Sequence, residues 1–349
     1  MTDEQWAVLK AAARGEPLPR VPTALIVDTP WIPPFLGIST VDYISIPEVW
    51  LRANLAVARR FPDLILLPGF WVEPGMAAEP SGFGCRIEFS ADQPPGIRPA
   101  FADVAQAADI TPPNPRRDGL MPLALSLYRH VRPLVRAEGM DIRMVAARGP
   151  LAVAAHLLGV SNFLIGLKTE PAATHRLLSV TTRLVRDWLS AQAEALPGVD
   201  GILVLDDVVG FLSREDYLEF AHPCLQEVFS LPASVKMFHD DTDSTVCYEF
   251  LHRVGINVFN FTHMKAIPDV RARVGDRVCL LGNVAPRDIL AGADPSTVTE
   301  NARRCIRENA GHPAFILSAG GGTSPGTPAG NIDALREAAA ATAGLAVPS

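Results

Sequence analysis

The sequence predicts an α/β fold, a single (β/α)8 TIM barrel with an N-terminal helical cap and a lid-like insertion after the second strand. Eight short apolar, β-branched runs recur along the chain, and most are followed by a longer segment with helical periodicity. No linker divides the 349 residues, of which 48% are hydrophobic, so one domain over 1–349 with one large core is expected.

The predicted elements follow one another in the order that parallel strands and covering helices require. A helix over 2–14 forms the cap within 1–19, with Trp6 and Leu9 on one face. The predicted strands are 23–27, 64–67, 142–146, 201–205, 233–238, 257–261, 278–281 and 314–317. The predicted helices are 46–60, 122–138, 171–195, 214–229, 244–254 and 295–310.

The segment 68–122 interrupts this alternation of strands and helices. It is rich in proline and glycine and contains Phe70, Trp71 and Phe83. An insertion after the second strand lies over the carboxyl end of the barrel, where sites form. Two alternatives fit equally well: a lid with aromatic walls over a site, or a small hairpin that only shields the barrel mouth.

Composition and charge exclude several classes of partner. The net charge is −7, only four lysines are present and no basic run occurs, so nucleic acid is not expected as a partner. No apolar run approaches the length of a membrane helix, so no membrane partner is expected either. The five cysteines lack CxxC spacing and the first residues lack the pattern of a signal peptide, which predicts a cytoplasmic protein.

The densest cluster of ionisable side chains, 239–243, follows the fifth predicted strand and combines one imidazole with three carboxylates. A helix cap explains one of these oxygens and leaves the other groups unexplained. A divalent ion could be held by His239 and one of Asp240, Asp241 or Asp243. Alternatively, the carboxylates could bind a cationic or hydroxylated substrate while His239 transfers a proton. Spacing alone does not separate these two chemistries.

Polar residues at the ends of the other strands are candidates for the same site, because the carboxyl ends of barrel strands meet at one rim. Adjacent acids alternate in facing, so one of Asp206 and Asp207 points into the mouth and the other toward the helices. Asp206, His239 and Asp241 are the predicted catalytic residues. The predicted substrate contacts are Asp28, Trp31, Trp71, Arg148, His156, Asp207, His263, Asn283 and Gly321.

Three segments resemble the uroporphyrinogen decarboxylase superfamily. They are 201–217, which contains the two adjacent aspartates, 280–284, and the glycine- and threonine-rich 320–331. The superfamily comprises tetrapyrrole decarboxylases and methyltransferases that move methyl groups between substrates, corrinoid proteins and thiols. The resemblance covers roughly Arg20 to the C-terminus. It implies a TIM barrel and, because dimers are common in the superfamily, a homodimer.

The chain departs from the decarboxylase branch at the residues that bind its substrate. Decarboxylases carry an Arg-Gln-Ala-Gly-Arg signature whose two arginines hold substrate carboxylates, and those positions align with Val27 and Trp31. The decarboxylase Tyr aligns with His156, the His of its Gly-His-Gly turn aligns with Gly321, and only the acid at Asp206 is kept. The resemblance therefore implies the methyltransferase side.

The methyltransferase branch binds zinc through a His-x-Cys after the fifth strand and a later Cys. Here His239 matches the His, Asp241 stands where the first Cys is expected, and the later Cys aligns with Gly321. The resemblance implies His239 and Asp241 as ligands of a metal such as zinc, with a hard carboxylate in place of thiolate. It also implies a corrinoid (cobalamin) on a separate partner protein.

These expectations describe a methyltransferase that demethylates a small O-, N- or S-methyl compound and passes the methyl group to a corrinoid protein. The first alternative is a lyase or decarboxylase acting on a small carboxylic acid that Arg148 binds. The second alternative is a barrel without catalytic activity that binds a tetrapyrrole or corrinoid.

Overall fold

The computed structural model describes residues 1–342, within which eight parallel strands form a barrel and two further strands form a hairpin. The eight predicted barrel strands are confirmed, and several extend further toward their carboxyl ends than predicted. In chain order the strands are β1 (Ala24–Ile26), β2 (Ile65–Leu67), β3 (Arg86–Glu88), β4 (Gly96–Arg98), β5 (Met144–Arg148), β6 (Gly201–Leu205), β7 (Val235–Asp240), β8 (Val258–Phe261), β9 (Cys279–Val284) and β10 (Phe315–Ala319).

The barrel is built from two parallel ladders. One ladder runs from β5 to β10 in chain order, and the other pairs β1 with β2. A parallel bridge between Thr23 and Leu317 joins β10 to β1. Between β2 and β5 no ladder forms among residues 1–342, and there the Met1 carbonyl accepts a hydrogen bond from the Asp141 N–H at 2.9 Å.

Helices cover the outside of the barrel, as expected for βα units. They are α1 (Asp3–Ala13), α2 (Ile32–Leu36), α3 (Thr40–Ser45), α4 (Pro47–Arg60), α5 (Ala78–Gly82), α6 (Val104–Ala107), α7 (Met121–Ala137), α8 (Pro150–Leu158), α9 (Val160–Thr169), α10 (Pro171–Ala195), α11 (Arg214–Asp216), α12 (His222–Phe229), α13 (Ile267–Val274), α14 (Pro295–Glu308) and α15 (Ala329–Ala340).

Two of the predicted helices differ in the structure. The predicted helix 214–229 contains a π turn over Tyr217–Ala221, just before Pro223, which has no N–H to donate. The prediction of a helix over 244–254 is wrong, because only a 3₁₀ turn over Tyr248–Phe250 forms. Thr242 donates to Asp240 Oδ1 from its backbone N–H at 3.1 Å and from its hydroxyl at 2.6 Å, and these local bonds hold the segment's start in a turn.

The N-terminal helix α1 covers the amino end of the barrel, as predicted. Trp6 and Leu9 are buried and pack with Met144, Leu203 and other residues of the barrel interior. A second core lies between the strands and the surrounding helices. The insertion 68–122 contains α5, the β3–β4 hairpin and α6. Among the described residues, no single helix has the length and hydropathy of a membrane span; α8 and α9 reach them only jointly, across a 105° bend.

Alternation along each strand decides which side chains enter the barrel mouth. In β6, Leu203 and Leu205 pack in the barrel interior, whereas Ile202 and Val204 pack against the helices. The same phase in the other strands directs every second residue inward. An inward-facing residue that lies beyond the last side chain of the packed interior therefore points into the barrel mouth.

Candidate active site

Three inward-facing side chains, Asp207, His239 and Asp241, meet at the mouth and are called the triad below. Asp207 follows the phase of Leu205, and His239 and Asp241 follow that of Met237. The His239 Nε2 atom lies 3.5 Å from Asp207 Oδ1 and 4.0 Å from Asp241 Oδ2. The backbone N–H of Asp241 donates to Asp207 Oδ1 at 3.2 Å. One donor atom from each residue lies within 4.8 Å of the other two, so the three groups can act on one bound atom.

Asn260 on the neighbouring strand β8 orients the His239 ring. The Asn260 Nδ2 group donates to the carbonyls of Leu281 at 2.8 Å and Ala319 at 3.0 Å, which leaves Oδ1 as an acceptor. His239 Nδ1 lies 2.7 Å from that oxygen and therefore carries the proton of this bond. The other ring nitrogen, Nε2, is directed toward the two carboxylates.

The triad combines a buried imidazole with two accessible carboxylates. The His239 side chain is 7% exposed, whereas those of Asp207 and Asp241 are 46% and 39% exposed. Burial alone would lower the pKa of His239, but Asp207 and Asp241 outweigh it and raise the pKa above the usual value. Burial raises the pKa of Asp241, against the opposing influence of His239 and His263. The accessible side of the triad faces the mouth, where a ligand can enter.

Asp206, the predicted catalytic acid, points the other way. Its Oδ2 accepts the backbone N–H of Leu151 at 2.9 Å, at the start of α8. A Cβ at Gly149 would lie 2.2 Å from that oxygen, so glycine is required for this approach. Burial raises the pKa of Asp206 well above its usual value. The structure therefore corrects the prediction: Asp207, and not Asp206, meets His239, because only Asp207 has the inward phase of β6.

A second cluster of charges lies at the carboxyl end of β5, next to β6, and in the segments after β1 and β2, and is called the arginine cluster below. Arg148, the last residue of β5, donates from Nη2 to Glu73 Oε1, and its backbone N–H donates to Glu79 Oε1 at 2.9 Å. Burial raises the pKa of Glu79 to about 7, and burial together with Glu73 raises that of Asp28 to about 7. Burial disfavours the charged form of Arg148, but Glu73, Glu79 and Asp28 hold its pKa above the usual value.

Two aromatic side chains predicted as substrate contacts lie beside or below this cluster. The Trp71 ring packs with the barrel interior, and the Arg148 guanidinium lies 5.3 Å from its centre. His156 lies on α8, and burial, with Arg148 nearby, lowers its pKa to about 4, so its ring is neutral at neutral pH. Both side chains lie close to Arg148. This position fits a substrate contact and a purely structural role equally well.

The remaining predicted contacts divide into two groups. Trp31 is fully buried and its Nε1 donates to the Thr327 carbonyl at 3.1 Å, and Asn283 donates to the Thr262 and Lys265 carbonyls at 3.3 and 2.6 Å. The structure therefore corrects both predictions, because protein partners already occupy these donors. Gly321 and His263 do lie beside Asp241, since a Cβ at Gly321 would be 2.5 Å from Asp241 Oδ2 and the charge of His263 influences Asp241.

A cavity of 640 Å³ lies beside the insertion, with walls from α4, α7 and the segment that follows β2. Glu73 belongs both to this cavity and to the arginine cluster. Two residues that line the cavity each have one buried polar atom without a hydrogen-bond partner, Trp50 Nε1 and Glu73 Oε2. The volume suits a small organic molecule.

The triad could hold a cation, but not through sulfur. Its donors are one imidazole nitrogen and two carboxylate oxygens. Cys247, the cysteine that follows the triad in sequence, is buried with its Sγ 3.9 Å from Asp240 Oδ2, on the opposite face of β7. A thiolate zinc centre of the kind implied by the sequence resemblance therefore does not fit these residues.

Sequence reasoning missed Asn260 and Glu79 and gave Asp207 a secondary role. Asn260 lies within a predicted strand, where a polar residue flanked by Phe259 and Phe261 was the available signal. Glu79 lies in the insertion, whose contact with β5 no local pattern records. The two faces of 201–205 are equally apolar, so the sequence did not fix the inward phase of β6.

The chain was compared with known proteins. The sequence profile described as Uroporphyrinogen decarboxylase (URO-D) matches residues 7–342. A methylated-thiol–coenzyme M methyltransferase of Methanosarcina mazei is 25% identical over 263 residues, which is 74% of this chain and 68% of that protein. A uroporphyrinogen decarboxylase of Nocardia farcinica is 30% identical over 318 residues, covering 86% and 85% of the two chains.

One solved structure supports the fold. A methyltransferase from Methanosarcina mazei superposes with a TM-score of 0.82 at 22% sequence identity, covering 97% of this chain and 98% of that one. Relatives named as methyltransferase and as decarboxylase thus both resemble this chain. The side chains at the mouth have to decide between the two chemistries.

Proposed function

The chain belongs to the uroporphyrinogen decarboxylase (URO-D) family, and from that premise we propose that it is a methyltransferase. In this proposal it demethylates a small O-, N- or S-methyl compound and passes the methyl group to a corrinoid carried by a separate protein. The reaction takes place at the mouth, beside the triad. A cytoplasmic location, which rests on the cysteine pattern and the first residues, and a homodimer, which rests on the family resemblance, belong to the same proposal.

One observation carries the proposal: the mouth is rich in acids, and its buried arginine is already paired. Val27 and Trp31, at the positions where decarboxylases carry substrate-binding arginines, are buried. Arg148 is bound to Glu73 and Glu79. A polycarboxylate would need unpaired cations in a dry cleft, since buried charges require partners. The acids at the mouth are Asp28, Glu73, Glu79, Asp207 and Asp241.

A neutral or cationic methyl compound suits this environment. The carboxylates of the triad are accessible and can attract a positively polarised methyl donor. The cavity at Glu73 offers room for an apolar group. The acid-rich mouth disfavours a carboxylic acid, so the lyase alternative is the weaker candidate.

Asp28 is the proposed proton donor. In the transfer, a nucleophile forms a bond to the methyl carbon while the bond from that carbon to the oxygen, nitrogen or sulfur breaks and leaves its electron pair on the departing atom. That atom then takes a proton. Because burial raises the pKa of Asp28 to about 7, a large fraction of this carboxyl is protonated at neutral pH. A corrinoid, when bound, supplies the cobalt nucleophile.

The test is a methylation assay with free cob(I)alamin as acceptor and a panel of methoxyaromatics, methylamines and methyl thioethers as donors. We expect cob(I)alamin absorbance to decrease with at least one donor, and only when the protein is present. Release of CO₂ from small acids, without methylation by any donor, would favour the lyase. Tight binding of cobalamin without turnover of either kind would favour the barrel without catalytic activity.

A further inference from the structure

We propose that the triad is an exchangeable divalent-cation site with one nitrogen and two oxygen ligands, open to first-row ions such as Mn²⁺, Co²⁺ or Zn²⁺. Its ligands include no thiolate, unlike those of the zinc centre in the methyltransferase branch. The site is the one used in the proposed function, but the inference concerns cation binding alone and does not require methyl transfer.

The spacing of the three donors suits a cation. Divalent first-row ions bind imidazole nitrogen and carboxylate oxygen at about 2.0–2.2 Å, so two ligands of one ion lie at most about 4.4 Å apart. His239 Nε2 lies 3.5 Å from Asp207 Oδ1 and 4.0 Å from Asp241 Oδ2. Neither separation fulfils a hydrogen bond, because both exceed the usual range. The buried Nε2 therefore faces two carboxylates across a gap of the size of an ion.

The surroundings of His239 are those of a metal ligand. Ligand histidines usually donate their second ring N–H to a protein acceptor, which fixes the tautomer and the ring orientation. Asn260 provides this acceptor, and two backbone carbonyls fix the orientation of its amide. The His239 residue is 5% exposed and Asn260 is fully buried. The direction of Nε2 is thus fixed through the hydrogen bond of Nδ1 to Asn260.

The pair Asp241 and Gly321 explains why oxygen and not sulfur ligates here. Gly321 has a φ of +143°, and a Cβ at this position would lie 2.5 Å from Asp241 Oδ2. The Asp241 carboxylate and a side chain at 321 therefore exclude each other. In thiolate sites both positions carry ligands, whereas here the glycine leaves its space to the carboxylate. Carboxylate favours harder ions than thiolate does.

The ligand sphere is incomplete and open, which makes the cation exchangeable. Three protein donors leave further positions for water or a bound compound. The carboxylates of Asp207 and Asp241 are 46% and 39% exposed on the mouth side. We therefore expect the ion to be removed by chelators and restored by dialysis.

The test is the visible and near-ultraviolet spectrum of chelator-treated protein titrated with Co²⁺, followed by titration calorimetry with Mn²⁺ and competition with Zn²⁺. We expect one Co²⁺ per chain, with ligand-field bands and without the intense thiolate-to-cobalt charge-transfer band. Charge-transfer absorption in the wild type, or no saturable Co²⁺ binding, would overturn the inference.

Three variants locate the ion. Asp207→Asn should abolish the ligand-field bands, and Asn260→Ala should weaken Co²⁺ binding about 10- to 100-fold because the ring orientation is lost. Asp243→Asn is the matched control and should bind like the wild type. Asp243 lies on the same loop but pairs with Lys265 outside the triad. Circular dichroism confirms folding of each variant. Co²⁺ bands that survive Asp207→Asn would refute the assignment.

Asp241→Cys tests the ligand position by a gain of signal. A thiolate at 241, next to Gly321, should add the charge-transfer band to the Co²⁺ spectrum and raise the preference for Zn²⁺ over Mn²⁺. Co²⁺ binding without that band would exclude position 241 as a ligand. A protein that binds Co²⁺ as described but methylates no acceptor would uphold this inference and refute the proposed function. A protein that methylates an acceptor but binds no Co²⁺ would refute this inference and uphold the proposed function.

Discussion

The arginine cluster and the triad differ in how their charged groups are paired. In the arginine cluster, the Arg148 guanidinium is bound by Glu73 and covered by Trp71, and its backbone N–H is bound by Glu79. In the triad, His239 is bound only through Nδ1, and its Nε2 faces two carboxylates beyond hydrogen-bond distance. Arg148 is thus paired with Glu73 and packed against Trp71, although Arg148 Nε and Glu73 Oε2 have no hydrogen-bond partner, whereas His239 Nε2 remains available to a ligand.

This difference assigns stability to Arg148 and its glutamates and ligand binding to the triad, while Asp28, which is influenced by both groups, is the proposed proton donor. A buried ion pair whose partners are all present is costly to break, because removal of one partner leaves an uncompensated charge. An imidazole nitrogen and partly exposed carboxylates that lie beyond hydrogen-bond distance of one another are available to bind a ligand or to move a proton. Substitutions in these groups should therefore have different consequences, and four of them test this division, beginning with the largest effect.

His239→Ala should reduce the rate of methyl transfer about 10²- to 10⁴-fold, which is the range for loss of a group that acts directly in proton transfer or binding. Asp243→Asn should retain the wild-type rate. The cob(I)alamin assay measures both rates, and circular dichroism verifies folding. Equal losses in the two variants would show that the loop, and not the triad, matters.

Arg148→Met should lower the free energy of unfolding by about 3–5 kcal/mol, because Glu73 loses the buried guanidinium that donates to it and Glu79 loses a nearby positive charge. Arg148→Lys keeps the charge and should lower it less. Urea unfolding followed by circular dichroism measures both values. Loss of methyl transfer by Arg148→Met without loss of stability would place the arginine in the chemistry and contradict the division of the mouth.

Asp28→Asn should slow methyl transfer about 100-fold if this carboxyl donates the proton. In the wild type the rate should fall as pH rises through about 7, the pKa to which burial raises Asp28, because the acid loses its proton. The rate of the variant should lack this decline. A pH–rate profile of each protein provides the measurement, and identical profiles would remove Asp28 from the mechanism.

Glu79→Gln should have the smallest effect and appear only in the pH dependence of stability. Burial raises the pKa of folded Glu79 from 4.5 to about 7, so the folded state binds more protons between these values. The free energy of unfolding therefore falls as pH rises from about 4.5 to about 7. Urea unfolding at about pH 5 and pH 8 should give a smaller decrease for the variant. Parallel decreases would contradict the assignment.

The sequence predicted the barrel because its strands are short apolar runs and its helices are longer periodic segments, both local patterns. It also placed His239 and Asp241 at the mouth, since position after a strand is local too. The helix expected over 244–254 failed because side-chain bonds of Thr242 to Asp240 compete with helix formation. Such competition depends on a few atoms and leaves no periodic signal.

The site was harder to predict than the fold because it depends on facing and on distant contacts. Asp206 and Asp207 could not be distinguished, since both faces of β6 are apolar and give no phase. Glu79 reaches Arg148 across 69 residues of sequence. Asn260 is identified only by the three hydrogen bonds of its amide, which join β8 to β7, β9 and β10.

The most direct test of the central claim, that chemistry belongs to the triad, compares the rates of methyl transfer to cob(I)alamin by wild-type, His239→Ala and Arg148→Lys protein. The assay contains no urea and is run at a temperature at which all three proteins are folded. We predict that His239→Ala loses at least about 100-fold in rate and that Arg148→Lys stays near the wild type. Full activity of His239→Ala together with an inactive Arg148→Lys would contradict the account.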